Sequence, residues 1–223
     1  MNNMLIVPSI NGAKDIVDIE YKLKQVRGVA KWVHLDIVDG EFATPASWPY
    51  TGDNVDDEIK LLADLESEPK IGAHLMVKDP QEYLDEWIDT PLARIIVQYE
   101  SPEHLENTLA VLDMSKIESG VVLGLDTPIE EIAKLPEKIK FIQLMSINKI
   151  GHYGEHFQDE VLAKLLAARS LYPKATLSVD GGIKEEHLVL LAKAGADQVV
   201  MGSAIFDNQA PADELRRLQA LVK

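Results

Sequence analysis

With 223 residues, 46% of them hydrophobic and 26% charged, the chain has ordinary globular composition and a length that suits one α/β-barrel domain spanning 1–223. A formal net charge of −15 repels polyanions and so excludes nucleic acid and an anionic membrane as partners, though not a small phosphorylated molecule held by local backbone dipoles. The absence of cysteine excludes disulfides, thiolate catalysis and thiolate metal sites; with no leader-like pattern in MNNMLIVPSI, a cytoplasmic location is expected.

Apolar strand-like runs alternate with amphipathic helical ones throughout. In chain order the pattern predicts strand 5–10, helix near 14–26, strand 32–39, helix near 56–65, strand 71–77, helix near 80–88, strand 94–100 and helix near 103–112. The second half predicts strand 120–126, helix near 128–135, strand 141–147, helix near 159–171, strand 176–180, helix near 184–195, strand 198–203 and helix near 211–221. Asp79-Pro80, Ser101-Pro102 and Thr127-Pro128 are the clearest helix starts. Eight βα units in this length predict a single-domain (β/α)8 TIM barrel, with a doubly wound open sheet as the competitor. Two connections, 40–55 and 148–159, exceed the usual βα loop and lie on the face where long loops act as lids.

Four polar residues interrupt otherwise apolar strands: His34 and Asp36 in WVHLDIVD, His74 in IGAHLMV and Asp180 in TLSVDGG. Side chains alternate along a strand, so His34 and Asp36 face one way while Val33, Leu35 and Ile37 face the other; His74 and Asp180 are likewise out of phase with their apolar neighbours. Any one of them alone reads as a satisfied core polar group. Together, two imidazoles and two carboxylates near one axis would set like charges against each other in a low dielectric, which points to a divalent cation of the Zn, Fe, Mn or Co kind. Asp36 and Asp180 could then exchange protons with a bracketed sugar from opposite sides. Asp39 is expected to structure its loop. The Asp180-Gly181-Gly182 and Gly202-Ser203 turns, after strands seven and eight, are candidate phosphate-holding backbone. Ser9 is placed to offer a hydroxyl to a substrate, and Met76 and Met145 are in phase with the inward face as a soft apolar wall.

The segments VPSI, VHLDIVDG, AHLMV, LMSIN, VDGGI and AGADQVVMGSAIF, in that order, resemble the ribulose-phosphate 3-epimerase family along almost the whole chain. The resemblance implies a barrel that interconverts ribulose 5-phosphate and xylulose 5-phosphate in pentose phosphate metabolism, through an enediolate, with a divalent metal and no organic cofactor. It places His34, Asp36, His74 and Asp180 as metal ligands and Asp36 and Asp180 as the acid/base pair. Ser9, Met76, Met145, Gly181, Gly182, Gly202 and Ser203 then contact the sugar phosphate, and the family suggests a homo-oligomer. Departures mark a divergent member. The loop after strand six reads NKIGHYGEH where a glycine-rich NPGFGGQ-like stretch is usual, so Lys149 or His152 would replace backbone contacts while Glu155 opposes an anion. Strand two carries Val38 in place of a Met, and strand four reads IIVQYES, which puts Gln98 and Tyr99 near the pocket. Two alternatives remain: a barrel lyase acting on a sugar phosphate, and a non-catalytic or repurposed barrel that has kept the old ligands.

Overall fold

The computed structural model describes residues 4–65, 68–101, 103–135, 139–151 and 154–222. Pro102 of the expected Ser101-Pro102 helix start, and His152 and Tyr153 of the loop after strand six, lie outside the described residues. Eight strands, β1 (Leu5–Ile10), β2 (Trp32–Val38), β3 (Lys70–Met76), β4 (Arg94–Gln98), β5 (Glu118–Leu123), β6 (Phe141–Met145), β7 (Thr176–Asp180) and β8 (Gln198–Met201), pair in parallel in chain order, and β8 closes onto β1. The helices are α1 (Ile16–Val26), α2 (Val55–Lys60), α3 (Leu84–Ile88), α4 (Leu105–Met114), α5 (Glu160–Leu171), α6 (Glu185–Ala194), α7 (Ser203–Phe206) and α8 (Pro211–Leu221), with 3-10 turns at Leu61–Asp64 and Ile129–Lys134. The closed barrel is the (β/α)8 fold expected, and no described helix is long and apolar enough to cross a membrane.

Three expected helices differ, the one near 56–65 being α-helical over Val55–Lys60 and 3-10 over Leu61–Asp64. The segment near 128–135 is a 3-10 helix of six residues, and in the segment near 80–88 only Leu84–Ile88 is α-helical, Asp79 instead accepting the Gln81 N–H in a turn. α1 begins where expected because the Asp15 carboxylate accepts the Asp18 N–H at 2.8 Å. α6 ends on Gly195 at φ +101°, a left-handed cap that glycine adopts without Cβ strain.

The core lies between barrel and helices. Val33, Leu35, Ile37, Ala73, Leu75, Ile95, Val97, Leu144, Leu177 and Val179 point outward from their strands into it, all fully buried. Inward positions read differently. Ile96, Val122, Phe141 and Met145, joined by Ile147, form one apolar cluster there and Val38 and Met76 another at the mouth, while Ser9, His34, Asp36, His74, Arg94, Gln98, Gln143, Ser178 and Gln198 are buried polar residues. Gly120 makes room for this packing on β5, since a Cβ there would lie 2.6 Å from the Phe141 carbonyl oxygen and 2.8 Å from its Cβ. Gly120→Ala is therefore expected to destabilise the barrel by about 1–3 kcal/mol, through overpacking that backbone cannot relieve. Urea unfolding with unchanged midpoint would contradict it.

The two long loops behave unlike each other. The loop after β2 is not simply a lid: Trp48 is 1% exposed, packs edge-on against Trp87 with ring centroids 6.2 Å apart, and donates its indole N–H to Glu58 at 2.7 Å. Its first turn does reach the barrel mouth, where Phe42 and Ala43 pack with Val38, Met76 and Ile150 of the other long loop. Asp39 has the loop-structuring role expected of it, one carboxylate oxygen accepting the Glu41 and Phe42 N–H groups at 2.8 Å and the other the Lys78 N–H at 2.6 Å.

Candidate active site

Neighbouring registers bring the four strand-interrupting residues together. Asp36 on β2 lies beside His74 on β3, and Met145 on β6 beside Asp180 on β7. His34, Asp36, His74 and Asp180 each offer one ligand atom, and the four atoms lie within 4.8 Å of one another. The closest approaches are His34 Nε2 to Asp36 Oδ1 at 3.1 Å, His74 Nδ1 to Asp36 Oδ1 at 3.5 Å, and His34 Nε2 to Asp180 Oδ2 at 3.7 Å. His74 is fully buried and Asp180, 13% exposed at its side chain, faces a cavity.

The donor set fits a cation, and His74 shows why. Gln98 donates its amide N–H to Glu100, a carboxylate that when ionised can only accept and that also takes the Gly124 N–H at 2.8 Å and the Thr127 hydroxyl. The Gln98 oxygen is thereby left for His74 Nε2, 2.9 Å away, which must carry the proton of that bond. The other ring nitrogen, Nδ1, then presents a bare lone pair toward Asp36, and it is buried with no hydrogen-bond partner. An orphaned, buried imidazole nitrogen aimed at a carboxylate is what a metal ligand with a fixed tautomer looks like. Two nitrogens and two oxygens, without sulfur, suit Zn, Fe, Mn or Co over softer or harder ions. A second group, Asp79, Glu103 and His104, also gathers ligand atoms, but at the surface, where His104 Nδ1 pairs with Asp79 at 3.0 Å.

The two carboxyls have opposite proton affinities. Burial pushes Asp36 up, yet the charge of the adjoining His34 imidazole and its hydrogen bond more than offset it and hold the group well below the usual carboxylate range. Burial and then the Asp36 charge push Asp180 well above that range, opposed only in part by the Gly181 N–H. Carboxyls this close are compatible when one holds a proton or a cation lies between them. Ser9 donates its hydroxyl proton to Asp36 Oδ2 at 2.7 Å, and Gln143 donates its amide N–H to Asp180 Oδ2 at 3.1 Å.

Above this centre opens a cavity of about 480 Å³ at the C-terminal ends of the strands. Ser9, Asp36, Met76, Met145, Asp180, Gly181, Gly182, Gly202 and Ser203, all singled out in the sequence, line it; His34 and His74 do not. The loop after β6 forms part of the wall through Gly151, Gly154, Glu155 and His156, and Lys184 and Asp207 also line it. Gly182, at φ +61°, is required by that loop, because a Cβ would lie 2.6 Å from the Phe157 nitrogen and 2.7 Å from the Glu155 oxygen. Sequence reasoning missed Gln143 as a partner of Asp180. The signal was available: FIQLM carries a polar residue inside an apolar strand, in phase with Met145.

Residues 5–206 match the family model described as "Ribulose-phosphate 3 epimerase family". Among curated proteins, the chain is 31% identical over 212 residues to a ribulose-phosphate 3-epimerase of Escherichia coli (strain K12), covering 93% of this chain and 91% of that one. It is 29% identical over 201 residues to a ribulose-phosphate 3-epimerase of Aquifex aeolicus (strain VF5), covering 88% and 87%. Among solved structures it is similar in fold to a 3-hexulose-6-phosphate synthase, with a TM-score of 0.71 at 18% identity over 99% of this chain and 100% of the other.

Proposed function

The chain belongs to the ribulose-phosphate 3-epimerase family, and from that premise we propose that Asp36 and Asp180 are the acid/base pair that inverts C3 of ribulose 5-phosphate to give xylulose 5-phosphate. The protein is an isomerase of the epimerase kind. The observation that carries the residue assignment is the convergence of His34, Asp36, His74 and Asp180 at the floor of the cavity, with the His74 Nδ1 lone pair unpartnered.

Those four residues would hold the metal. A divalent cation bound there supplies Lewis-acid stabilisation of the negative charge that builds on the substrate oxygens as the C3–H bond breaks. Asp36, kept anionic by the His34 imidazole and steadied by the Ser9 hydroxyl, takes the C3 proton. Asp180, biased toward its neutral form, delivers a proton to the opposite face, and the reverse reaction exchanges the two roles. Environments that push two carboxyls apart in proton affinity are what an acid/base pair needs, and a barrel that only bound sugar would not require them. The Gly181–Gly182 and Gly202–Ser203 turns, adjacent because β7 and β8 pair, take the phosphate; Met76 and Met145 wall the sugar. Incubation with ribulose 5-phosphate and mass analysis separates this function from a carbon–carbon lyase. The epimerase leaves the mass of the sugar phosphate unchanged, and a lyase does not.

The tautomer argument has its own test. Gln98→Leu keeps the volume but removes the acceptor that fixes the His74 proton on Nε2, so affinity for the divalent cation is expected to fall about 10–100-fold. Chelator competition measures it. An affinity equal to that of the parent chain would contradict the role of Gln98.

A further inference from the structure

Beneath the four-residue centre the barrel holds a line of buried polar side chains where branched apolar layers are the rule. Arg94 Nη1 on β4 donates to Gln198 Oε1 on β8 at 3.5 Å, and Gln198 Nε2 donates to Ser178 Oγ on β7 at 3.2 Å. Ser178 Oγ donates to Gln143 Oε1 on β6 at 3.1 Å, and Gln143 Nε2 donates to Asp180 Oδ2 at 3.1 Å. Every bond runs the same way, and Arg94 sets the direction. A guanidinium has no acceptor, so Gln198 must turn its oxygen to Arg94 and its nitrogen to Ser178, whose hydroxyl then donates onward. Arg94 is itself fixed, its guanidinium 4.1 Å from the Trp32 ring centroid and 3.9 Å from that of Phe141, with Glu118 accepting from Nε at 3.0 Å and Nη2 at 2.8 Å. Gln143 and Ser178 are wholly buried, so neither amide nor hydroxyl can turn to water instead.

We propose that Gln143 is a positioning residue for Asp180, its N–H aimed from the barrel floor to occupy Oδ2 and so leave Oδ1 as the oxygen that passes the proton to the substrate. The proposal rests on Asp180 being the acid/base group assigned above. In the delivering step the Asp180 O–H bond breaks, the electron pair of the deprotonated sugar's C=C bond forms the new C3–H bond and the carbonyl is restored. The carboxylate left behind is met by the Gln143 N–H.

Gln143→Met keeps length and volume and removes the N–H. The chain is run in D2O from each epimer, with deuterium at C3 read in both recovered substrate and product. From ribulose 5-phosphate, Asp36 still deprotonates while Asp180 delivers poorly, so the ratio of exchange to inversion is expected to rise about tenfold with KM little changed. From xylulose 5-phosphate, where Asp180 acts first, both rates fall, and because return of the enediolate through Asp180 is the impaired step, the ratio of exchange to inversion is expected to fall. Titration of the metal-free variant with the cation should give an affinity close to the parent's, since the ligand atoms remain. Ser178→Ala, which releases the Gln143 amide without touching Asp180, is expected to shift the ratio the same way by less, and it reads the proposal should Gln143→Met fail to fold. An exchange-to-inversion ratio unchanged from both epimers in the folded variants overturns the positioning role. No C3 exchange in the parent chain overturns the acid/base reading beneath it.

Discussion

Asp36→Asn and Asp180→Asn are each expected to lower the rate of ribulose 5-phosphate epimerisation about 10²–10⁴-fold, the range typical of a lost general acid or base. Asparagine keeps the shape and one oxygen acceptor but cannot take or give the proton. The Ser9 hydroxyl bonded to Asp36 and the Gln143 amide bonded to Asp180 each retain an acceptor, so the centre should not collapse. Stability should hold or rise, because each change removes one of two carboxyls that face each other in a buried site. The two variants should differ in kind. Asp36→Asn loses the first deprotonation from ribulose 5-phosphate, whereas Asp180→Asn loses delivery to the far face. Rates from a coupled assay, with melting curves and metal content recorded alongside, decide the matter: a variant that is folded, loaded and as fast as the parent chain would remove that residue from the mechanism.

Removing the cation should have the second large effect. Chelation followed by dialysis is expected to take turnover to background, and restoring a Zn, Fe, Mn or Co salt should recover it. Stability should follow. Binding at about 1,000 times the dissociation constant contributes about 4 kcal/mol, which for a chain of this size corresponds to a melting shift of about 8–16 °C. The shift arises because the ligands already face one another at 3.1–3.7 Å in a buried site, so the cation relieves the repulsion of two carboxyls. Full turnover by protein shown by elemental analysis to be metal-free would end the metal assignment.

Most of the barrel was legible in the sequence because fully buried parallel strands announce themselves as short apolar runs, and their alternation with helical segments leaves few topologies. Period two located the centre: one polar residue out of phase with its apolar neighbours, as His74 is between Ala73 and Leu75, faces the opposite side of the sheet from them. Strand ends were less legible. Tyr99, Glu100, Ser146 and Ile147 continue the apolar or extended pattern but have left the regular strands to form the mouth. The turn at Ile129–Lys134 is 3-10 instead of α, and six residues are too few for sequence to separate a period of 3.0 from 3.6. Trp48 fell within the 40–55 connection expected to act as a lid because of its length and place, whereas its partner Trp87 comes from a helix far along the chain that sequence does not place beside it. The polar line from Arg94 to Asp180 was hidden for a related reason. Gln143 lies beside Ser178 and Ser178 beside Gln198 only through strand register, which propensities leave unspecified.

The most direct test is proton NMR of the C3 position while the metal-loaded chain acts on ribulose 5-phosphate in D2O. The account predicts xylulose 5-phosphate that carries deuterium at C3, since the proton delivered from Asp180 has come from solvent. Xylulose 5-phosphate retaining protium at C3, or no change in the sugar at all, would contradict it.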